Sequence, residues 1–244
     1  MTPPRDIPIA DEAAPPASCL EPAAPATAIN IAAIFDVDNT LLPGEASEVR
    51  FFRSLWSQRI VGWRELGASF WWLARHLPAC SLQPLRERKL YLAGKSAEQI
   101  ESLADAFCRE TLIPALSRDG LAALDRHRQA GHHLVFVTGA PEFLIAPIAR
   151  LLGVGTVYAA RPDCIGRTYT GTLRHPLPYG PGKRDLIVQF AADTGIDLAA
   201  SFGYGDSPGD EDILRLVGHP LVVNPIRGMD RIARRHRWPV ARWT

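Results

Sequence analysis

Two aspartates separated by one residue, Asp36 and Asp38, directly follow the apolar run at residues 31–35. The run lacks helical periodicity, which predicts a buried parallel strand ending at a polar turn. Residues two apart on an extended segment point to the same side, so both carboxylates can face one substrate. One can attack phosphorus, and the other can protonate the leaving oxygen and then activate water. The alternative is an Asp-rich turn in which Asp38 or Asn39 caps the next helix.

A second apolar run, at residues 133–137, ends in Thr138 and Gly139, and Pro141 follows. We predict a second buried strand, with Pro141 in the first turn of the next helix. The Thr138 hydroxyl and nearby backbone N–H groups at that helix N-terminus are suited to hold phosphoryl oxygens. A plain connection between a strand and a helix has the same pattern, so this segment alone does not predict a site.

Two later segments add a lysine and two further aspartates. Lys183 follows a glycine-rich turn at the start of an amphipathic helix. Its ammonium can act as a point charge on phosphate, although most lysines are solvated surface residues. Asp206 and Asp210 follow the apolar stretch at residues 198–204, and a helix beginning at Ser207 would bring both to one edge. Mg²⁺ is satisfied by one or two carboxylates together with waters and phosphate oxygens.

Together these segments resemble the motifs of the haloacid dehalogenase-like superfamily of hydrolases, and within it the phosphoserine phosphatase-like group (subfamily IB). They read DVDNT at 36–40, VTG at 137–139, GK at 182–183 and GDSPGD at 205–210, in the order of that family. The resemblance implies an α/β fold with a doubly wound, mostly parallel sheet. It also implies a Mg²⁺-dependent phosphomonoesterase that acts through an aspartyl-phosphate on a small phosphate ester.

The resemblance further implies a role for each site residue. Asp36 is expected to be the nucleophile and Asp38 the general acid/base. Mg²⁺ is expected to be bound by the Asp36 carboxylate, the Asp38 backbone carbonyl and Asp206, with Asp210 supporting these ligands. The residues expected to hold the phosphoryl group are Thr138, Gly139 and Lys183. The dehalogenase members lack an acid two residues after the nucleophile, so Asp38 favours phosphate over halide. Asn39, where many members carry Gly or Ser, is expected to alter turn geometry more than chemistry.

The chain between the first two site segments reads almost entirely as helix. The predicted helices are 45–57, 62–76, 85–93 and 97–111, with a capping box at 96–99. We therefore predict a helical cap (C1 type) at residues 44–117, inserted after the first strand and able to exclude water. The α/β catalytic core is expected at 29–43 and 118–244, beginning its second part with a helix at 118–130. Residues 1–28, rich in Ala and Pro, are expected to form a disordered tail without signal-peptide features.

Substrate choice is assigned to the cap. Glu45, nine positions after Asp36, resembles the glutamate with which phosphoserine phosphatases bind the substrate ammonium. Arg88, with Arg86 as a competitor, falls where that family has a carboxylate-binding arginine. A phosphoserine-like substrate is therefore favoured, and the alternatives are histidinol, sugar or lipid-related phosphates. The alternative for both Glu45 and Arg88 is a solvated charged residue on a helix surface. The tryptophan-rich segment at 56–73 fits either packing against the core or a pocket for an amphiphilic ester.

Composition agrees with an α/β enzyme and restricts its partners. The 244 residues are 47% hydrophobic, enough to bury a sizeable core. A formal net charge of +1 provides no general attraction for polyanions, so nucleic acid is not an expected partner. No run approaches the ~18 apolar residues that a membrane span needs. The four cysteines form no C-x-x-C pair, which predicts reduced thiols and a cytoplasmic location.

Two other classes of protein are alternatives to an enzyme. A receiver-like signalling domain also gathers aspartates, a threonine and a lysine around Mg²⁺. There an acidic pair precedes the phosphorylated aspartate, whereas here the order is Asp-x-Asp, Thr, Lys and Asp-x-x-x-Asp, with a large insertion. This order favours turnover over a stable phosphoryl switch. An inactive scaffold that keeps the fold is the other alternative, and the complete set of acids argues against it.

Overall fold

The computed structural model describes residues 30–63 and 88–244, together with residues 67, 71 and 75. The tail predicted at residues 1–28, Arg86, and most of the helix predicted at 62–76 therefore lie outside the described residues. The predicted domain boundaries stay predictions. Among the described helices, none combines the length and the apolar character that crossing a membrane requires.

The core is a parallel sheet built from apolar segments of the chain. Its strands in chain order are β1 (Ala32–Phe35), β2 (His133–Pro141), β3 (Thr156–Ala160), β6 (Phe202–Gly205), β7 (His219–Val223) and β8 (Val240–Ala241). Within the described residues they form one six-stranded sheet in the order β3-β2-β1-β6-β7-β8, and every pairing is parallel. An antiparallel hairpin of β4 (Pro162–Ile165) and β5 (Thr168–Leu173) lies beside it.

Helices cover both faces of this sheet, as a doubly wound fold requires. The described α-helices are α1 (Ser47–Ser57), α2 (Ala97–Phe107), α3 (Arg118–Gln129), α4 (Glu142–Leu151), α5 (Pro181–Thr194), α6 (Glu211–Leu214) and α7 (Met229–His236). On one face, Ile34 packs with Ile187 of α5 and Ile213 of α6. On the other, Phe35 belongs to the cluster that contains Leu144 of α4. This alternation along β1 confirms the predicted α/β class.

The position of β1 explains where a ligand would bind. β1 lies between β2 on one side and β6 on the other, so the chain winds away from it in both directions. Such a reversal leaves a crevice beyond the carboxyl ends of the two central strands. Asp36 immediately follows β1 and is placed at this crevice.

The segment inserted between β1 and α3 differs in part from the prediction. The helix predicted at 85–93 is wrong where it is described, because Leu90–Leu92 forms a single 3₁₀ turn and Arg88 forms a β-bridge with Thr172. The helix predicted at 97–111 is α-helical to Phe107 and continues as the wider π turn Cys108–Leu112. The Ser96 side chain accepts from the Gln99 N–H at 3.4 Å, so the Ser96 half of the predicted capping box is confirmed.

Backbone hydrogen bonds join this inserted segment to the hairpin. The bonds, from N to O, are Lys89 to Gly171 (2.8 Å), Gly94 to Tyr169 (2.9 Å), Tyr169 to Lys95 (3.0 Å) and Ala97 to Arg167 (2.8 Å). Residues 88–97 thus run alongside β5 as an additional edge. The Tyr169 hydroxyl also donates to Glu101 of α2, at 3.0 Å.

Candidate active site

The parallel strands bring the predicted acids to one place. Asp36 follows β1, Asp206 follows β6, and Asp210 lies in the 3₁₀ turn Pro208–Asp210 just beyond. One carboxylate oxygen from each of these three buried residues lies within 4.8 Å of the others. The cluster therefore forms at the crevice where the fold leaves room for a ligand.

Lys183 completes the cluster from the first turn of α5. Its Nζ donates to Asp36 Oδ1 at 2.6 Å and to Asp210 Oδ1 at 2.7 Å. Only 5% of its side chain is exposed. Burial alone would lower the pKa of Lys183, but the Asp210 and Asp36 carboxylates outweigh burial and raise it. The ammonium is therefore charged and fixed between the two acids.

Asp210 is held by its own turn. Its Oδ2 accepts from Ser207 N at 3.1 Å, from Ser207 Oγ at 3.0 Å and from Asp206 N at 3.3 Å. A Cβ on Gly205 would lie 2.5 Å from Asp210 Cβ, so the close approach requires glycine there. The sequence correctly places Asp206 and Asp210 together, but a 3₁₀ turn and not an α-helix begins after Ser207.

Asn39 adopts an unusual turn conformation and also contacts an acid of the cluster. Its backbone is left-handed (φ +57°), which asparagine tolerates. Its amide nitrogen donates to Asp206 Oδ2 at 3.0 Å and to the Asn224 carbonyl at 2.9 Å. Asn224 in turn donates to the Asn39 carbonyl at 3.0 Å. Asn39 therefore orients an acid of the cluster, a role that its sequence position alone does not reveal.

The sequence leaves open whether Asp38 faces a substrate or caps the next helix, and the structure is compatible with both. Its Oδ1 accepts from the N–H of Ser47, the first residue of α1, at 2.8 Å, so it caps the helix that opens the inserted segment. Its side chain also lines the cavity that contains Asp36. Burial raises the pKa of Asp38, a change that favours a carboxyl able to donate a proton.

The cluster has an excess of negative charge. Three carboxylates face one lysine, which leaves two charges uncompensated when all are ionised. Burial, followed by the Asp210 and Asp206 carboxylates, raises the pKa of Asp36 against the opposing effect of Lys183. Burial and Asp210 raise the pKa of Asp206 to about 7. A hard divalent cation fits these oxygen donors, because it would neutralise the excess charge.

Thr138 and Gly139 line the same cavity, which has a volume of about 290 Å³. Thr138 is buried, and its Oγ1 accepts from Ala140 N at 3.2 Å. The position predicted for Pro141 is off by one residue, because β2 extends to Pro141 and α4 begins at Glu142. Thr138 and Gly139 therefore lie inside β2, just before its last two residues, and line the cavity together with Asp36.

Glu45 and Arg88, the two charged residues predicted to select the substrate, do not line the cavity that contains the acids. Glu45 accepts two hydrogen bonds from Arg53, at 2.7 and 2.8 Å, and Arg88 pairs with the hairpin. Neither is among the described residues that line the cavity, and their substrate-binding roles stay predictions.

Glu48 lines the cavity instead, and its carboxylate accepts from Lys89 Nζ and from the Tyr91 hydroxyl. Glu48 is not among the site residues predicted from the sequence. The available signal is its place one residue after the start of α1, the helix that Asp38 caps.

The comparisons with known proteins agree with this geometry. The family model described as haloacid dehalogenase-like hydrolase matches residues 33–215, so the chain belongs to that family. The phosphoserine phosphatase SerB1 of Mycobacterium tuberculosis is 29% identical over 237 residues, which cover 94% of this chain and 76% of the relative. The histidinol-phosphatase of Neisseria meningitidis is 29% identical over 216 residues, covering 85% of this chain and 96% of the relative.

A solved structure shows the same fold. A phosphoserine phosphatase, captured as a phospho-aspartyl intermediate analogue, superposes with a TM-score of 0.60 at 17% identity, over 87% of this chain and 92% of that one. The family match, with relatives named as phosphatases, identifies the protein as a haloacid dehalogenase-like phosphatase, and the solved structure shows the fold.

Proposed function

We propose that this phosphatase is a Mg²⁺-dependent phosphomonoesterase that hydrolyses small phosphate esters through an aspartyl-phosphate on Asp36. The observation that carries the proposal is the convergence of Asp36, Lys183, Asp206 and Asp210 in one buried crevice. Asp206, Asp36 and the Asp38 carbonyl would hold Mg²⁺, with Asp210 as support, and the bound ion would supply charge neutralisation for the phosphoryl oxygens.

The remaining steps are assigned to side chains of this chain. Asp36 attacks phosphorus, and the bond from phosphorus to the ester oxygen breaks. Asp38 protonates the departing oxygen and later removes a proton from the water that hydrolyses the acyl phosphate. Lys183 and the Thr138 hydroxyl stabilise the negative charge on the phosphoryl oxygens, with Gly139 leaving space beside them.

The test is phosphate release from p-nitrophenyl phosphate by the full-length protein with Mg²⁺. We expect Asp36→Asn to lower kcat by about a thousandfold or more, because the amide is a poor nucleophile. EDTA should abolish turnover, and excess Mg²⁺ should restore it. Asp193→Asn, on the exposed side of α5, is the matched control and should retain activity.

Three outcomes would contradict this proposal. Unchanged turnover in Asp36→Asn or in EDTA would exclude the proposed mechanism. Release of one p-nitrophenol per protein without release of phosphate, together with a persistent phosphoprotein, would instead favour the receiver-like alternative. No release from any ester by a correctly folded protein would favour an inactive scaffold.

Phosphoserine is the first substrate to examine, since SerB1 carries that name and the sequence favours a phosphoserine-like ester through Glu45 and Arg88. Histidinol phosphate is the second, by the name of the Neisseria relative. Because Glu45 is bound to Arg53 and does not line the cavity, we expect Glu45→Ala to change kcat/KM for phosphoserine by less than about threefold. A loss of about a hundredfold or more, specific to phosphoserine, would restore the role predicted from the sequence. The measurement is phosphate release across phosphoserine, histidinol, sugar and lipid-related phosphates.

A further inference from the structure

A second cavity adjoins the candidate active site. Its volume is about 620 Å³, larger than the 290 Å³ of the cavity that contains the acids. Gly139 and Tyr179 line both cavities, so the two share a boundary. The apolar residues that line the second cavity are Ala160, Leu173, Pro176, Leu177, Pro178 and Pro181. It is therefore a mainly apolar space beside a strongly polar one.

The Tyr179 ring lies at this boundary. A Cβ on Gly209 would be 3.3 Å from Tyr179 Cε2, and a Cβ on Gly139 would be 4.0 Å from Tyr179 Cδ2. The ring thus lies close both to the turn that carries Asp210 and to the segment that contains Thr138 and Gly139. An aromatic ring in this position offers a flat apolar surface to the part of a ligand that extends out of the acidic cavity.

A paired charge also lies between the two cavities. Glu48 lines the acidic cavity, Lys89 lines the apolar one, and they form an ion pair with each other. Both side chains are largely buried, with 21% of Glu48 and 11% of Lys89 exposed. Since the two charges compensate each other, this boundary presents no net charge. It suits an uncharged group better than one bearing an isolated ammonium or carboxylate.

We propose that the second cavity binds the alcohol part of the substrate, and that the preferred substrates are phosphomonoesters whose alcohol carries an apolar or aromatic body. This inference rests on the proposed function, because it places the phosphoryl group at Asp36. The volume of the second cavity lies within the range of small-molecule sites, and its wall is mostly apolar, as such sites usually are. Tyr179 and Leu177 are specificity-determining residues in this arrangement.

The test measures binding and does not depend on turnover. Calorimetry with Mg²⁺ compares ethylphosphonate with 3-phenylpropylphosphonate, whose carbon–phosphorus bonds are not hydrolysed at this site. We expect the phenyl compound to bind about ten to a hundred times more tightly, because its ring is removed from water. Leu177→Asp should weaken binding of the phenyl compound about tenfold and that of ethylphosphonate less than about twofold. His175→Trp, an exposed residue that lines the cavity, should act in the same direction by filling it.

Leu151→Asp is the matched control, since Leu151 is exposed at the end of α4 and does not line the cavity. Equal affinities of the two phosphonates for the unaltered protein would overturn the proposal, as would an unchanged ratio in both variants. Preferential binding of the phenyl compound without hydrolysis of any ester would refute the proposed function and leave the assignment of the cavity intact. Ester hydrolysis without that preference would do the reverse.

Discussion

Two buried polar clusters lie close to the carboxyl end of β1, and they differ in charge. Consecutive residues Phe35 and Asp36 point to opposite sides. Asp36 belongs to the charged cluster with Lys183. Phe35 stacks on Tyr204 of β6 with ring centroids 4.4 Å apart, and Tyr204 belongs to a second cluster that contains His127 of α3. The two clusters therefore approach each other through the consecutive residues Phe35 and Asp36.

The second cluster is uncharged, and hydrogen bonds link its three side chains, His132, His127 and Tyr204. His127 Nε2 hydrogen-bonds to the Tyr204 hydroxyl at 2.7 Å, and His127 Nδ1 to His132 Nδ1 at 2.8 Å. A bond between two Nδ1 atoms requires one to donate and the other to accept, so each imidazole can remain uncharged. Burial, with smaller effects of His132 and Arg126, lowers the pKa of His127 to about 4.

The two clusters show two uses of buried polar groups, one for binding and chemistry and the other for stabilising the fold. Buried charges gain little stability, because desolvation offsets their attraction, and excess carboxylates repel one another. The cluster around Lys183 is therefore arranged for binding and chemistry. The cluster around His127 satisfies its ring nitrogens without charge, which supports the fold beneath the site.

The largest expected effect is that of Lys183→Met. Activity with saturating Mg²⁺ should fall about a thousandfold, because the phosphoryl oxygens lose their cation. In EDTA the free energy of unfolding should fall by about 3 kcal/mol, since the buried carboxylates of Asp36 and Asp210 lose their neutralising cation. Phosphate release and urea unfolding measure the two effects.

Arg184→Met is the control for this variant, because it removes an exposed cation from the same turn of α5. It should change neither quantity appreciably. If Lys183→Met retained full activity, the charged cluster would not have the role assigned to it.

The next effect tests the neutral cluster through pH. Folded His127 stays neutral to about pH 4, whereas unfolded histidine is protonated below about pH 6.5. The contribution of His127 to stability is therefore complete above about pH 6.5 and is lost as the pH falls towards 4, by up to about 3 kcal/mol. In His127→Gln this part of the pH dependence should disappear, as urea unfolding at pH 7.5 and 4.5 would measure.

His133→Gln, at an exposed position of β2, is the matched control and should keep the pH dependence of the unaltered protein. Activity of His127→Gln at pH 7.5 should change less than about threefold, because no described contact joins His127 to the acids. A large loss of activity with unchanged stability would reverse the contrast between the clusters.

The smallest effect concerns Asn39, which supports the charged cluster from its turn. Asn39→Gly keeps the left-handed backbone and removes the amide bonded to Asp206, so Mg²⁺ affinity should fall about tenfold. Asn39→Ala should lower affinity similarly and also destabilise the fold by about 1–2 kcal/mol, since alanine disfavours this conformation. Mg²⁺ titration of activity and urea unfolding separate the two effects. Equal stability of both variants would exclude the backbone contribution.

The residues of the charged cluster were predicted from the order of four motifs and from the family that those motifs resemble. Asp36, Thr138 and Asp206 each follow or end an apolar run, and the carboxyl ends of parallel strands necessarily meet at one edge. Lys183 was placed by the glycine-rich turn before α5. In each case the signal is local, and the geometry of the sheet completes it.

The parts that the sequence did not predict depend on distant contacts. The helix predicted at 85–93 is replaced, where described, by pairing with β5, some eighty residues further along the chain. The choice between Glu45 and Glu48 depends on where α1 begins, and that is set by the bond from Ser47 to Asp38. The role of Asn39 depends on its contact with Asp206 after the strands are assembled.

The backbone pairing of residues 88–97 with β5 gives the inserted segment a second attachment, far in sequence from its root after β1. Lys89, at the boundary of the two cavities, is carried on this attachment. A change in the length or twist of the β4–β5 hairpin would therefore reposition Lys89 without altering any acid at the crevice. Substrate preference can in this way diverge through a small surface hairpin while the reaction chemistry remains constant.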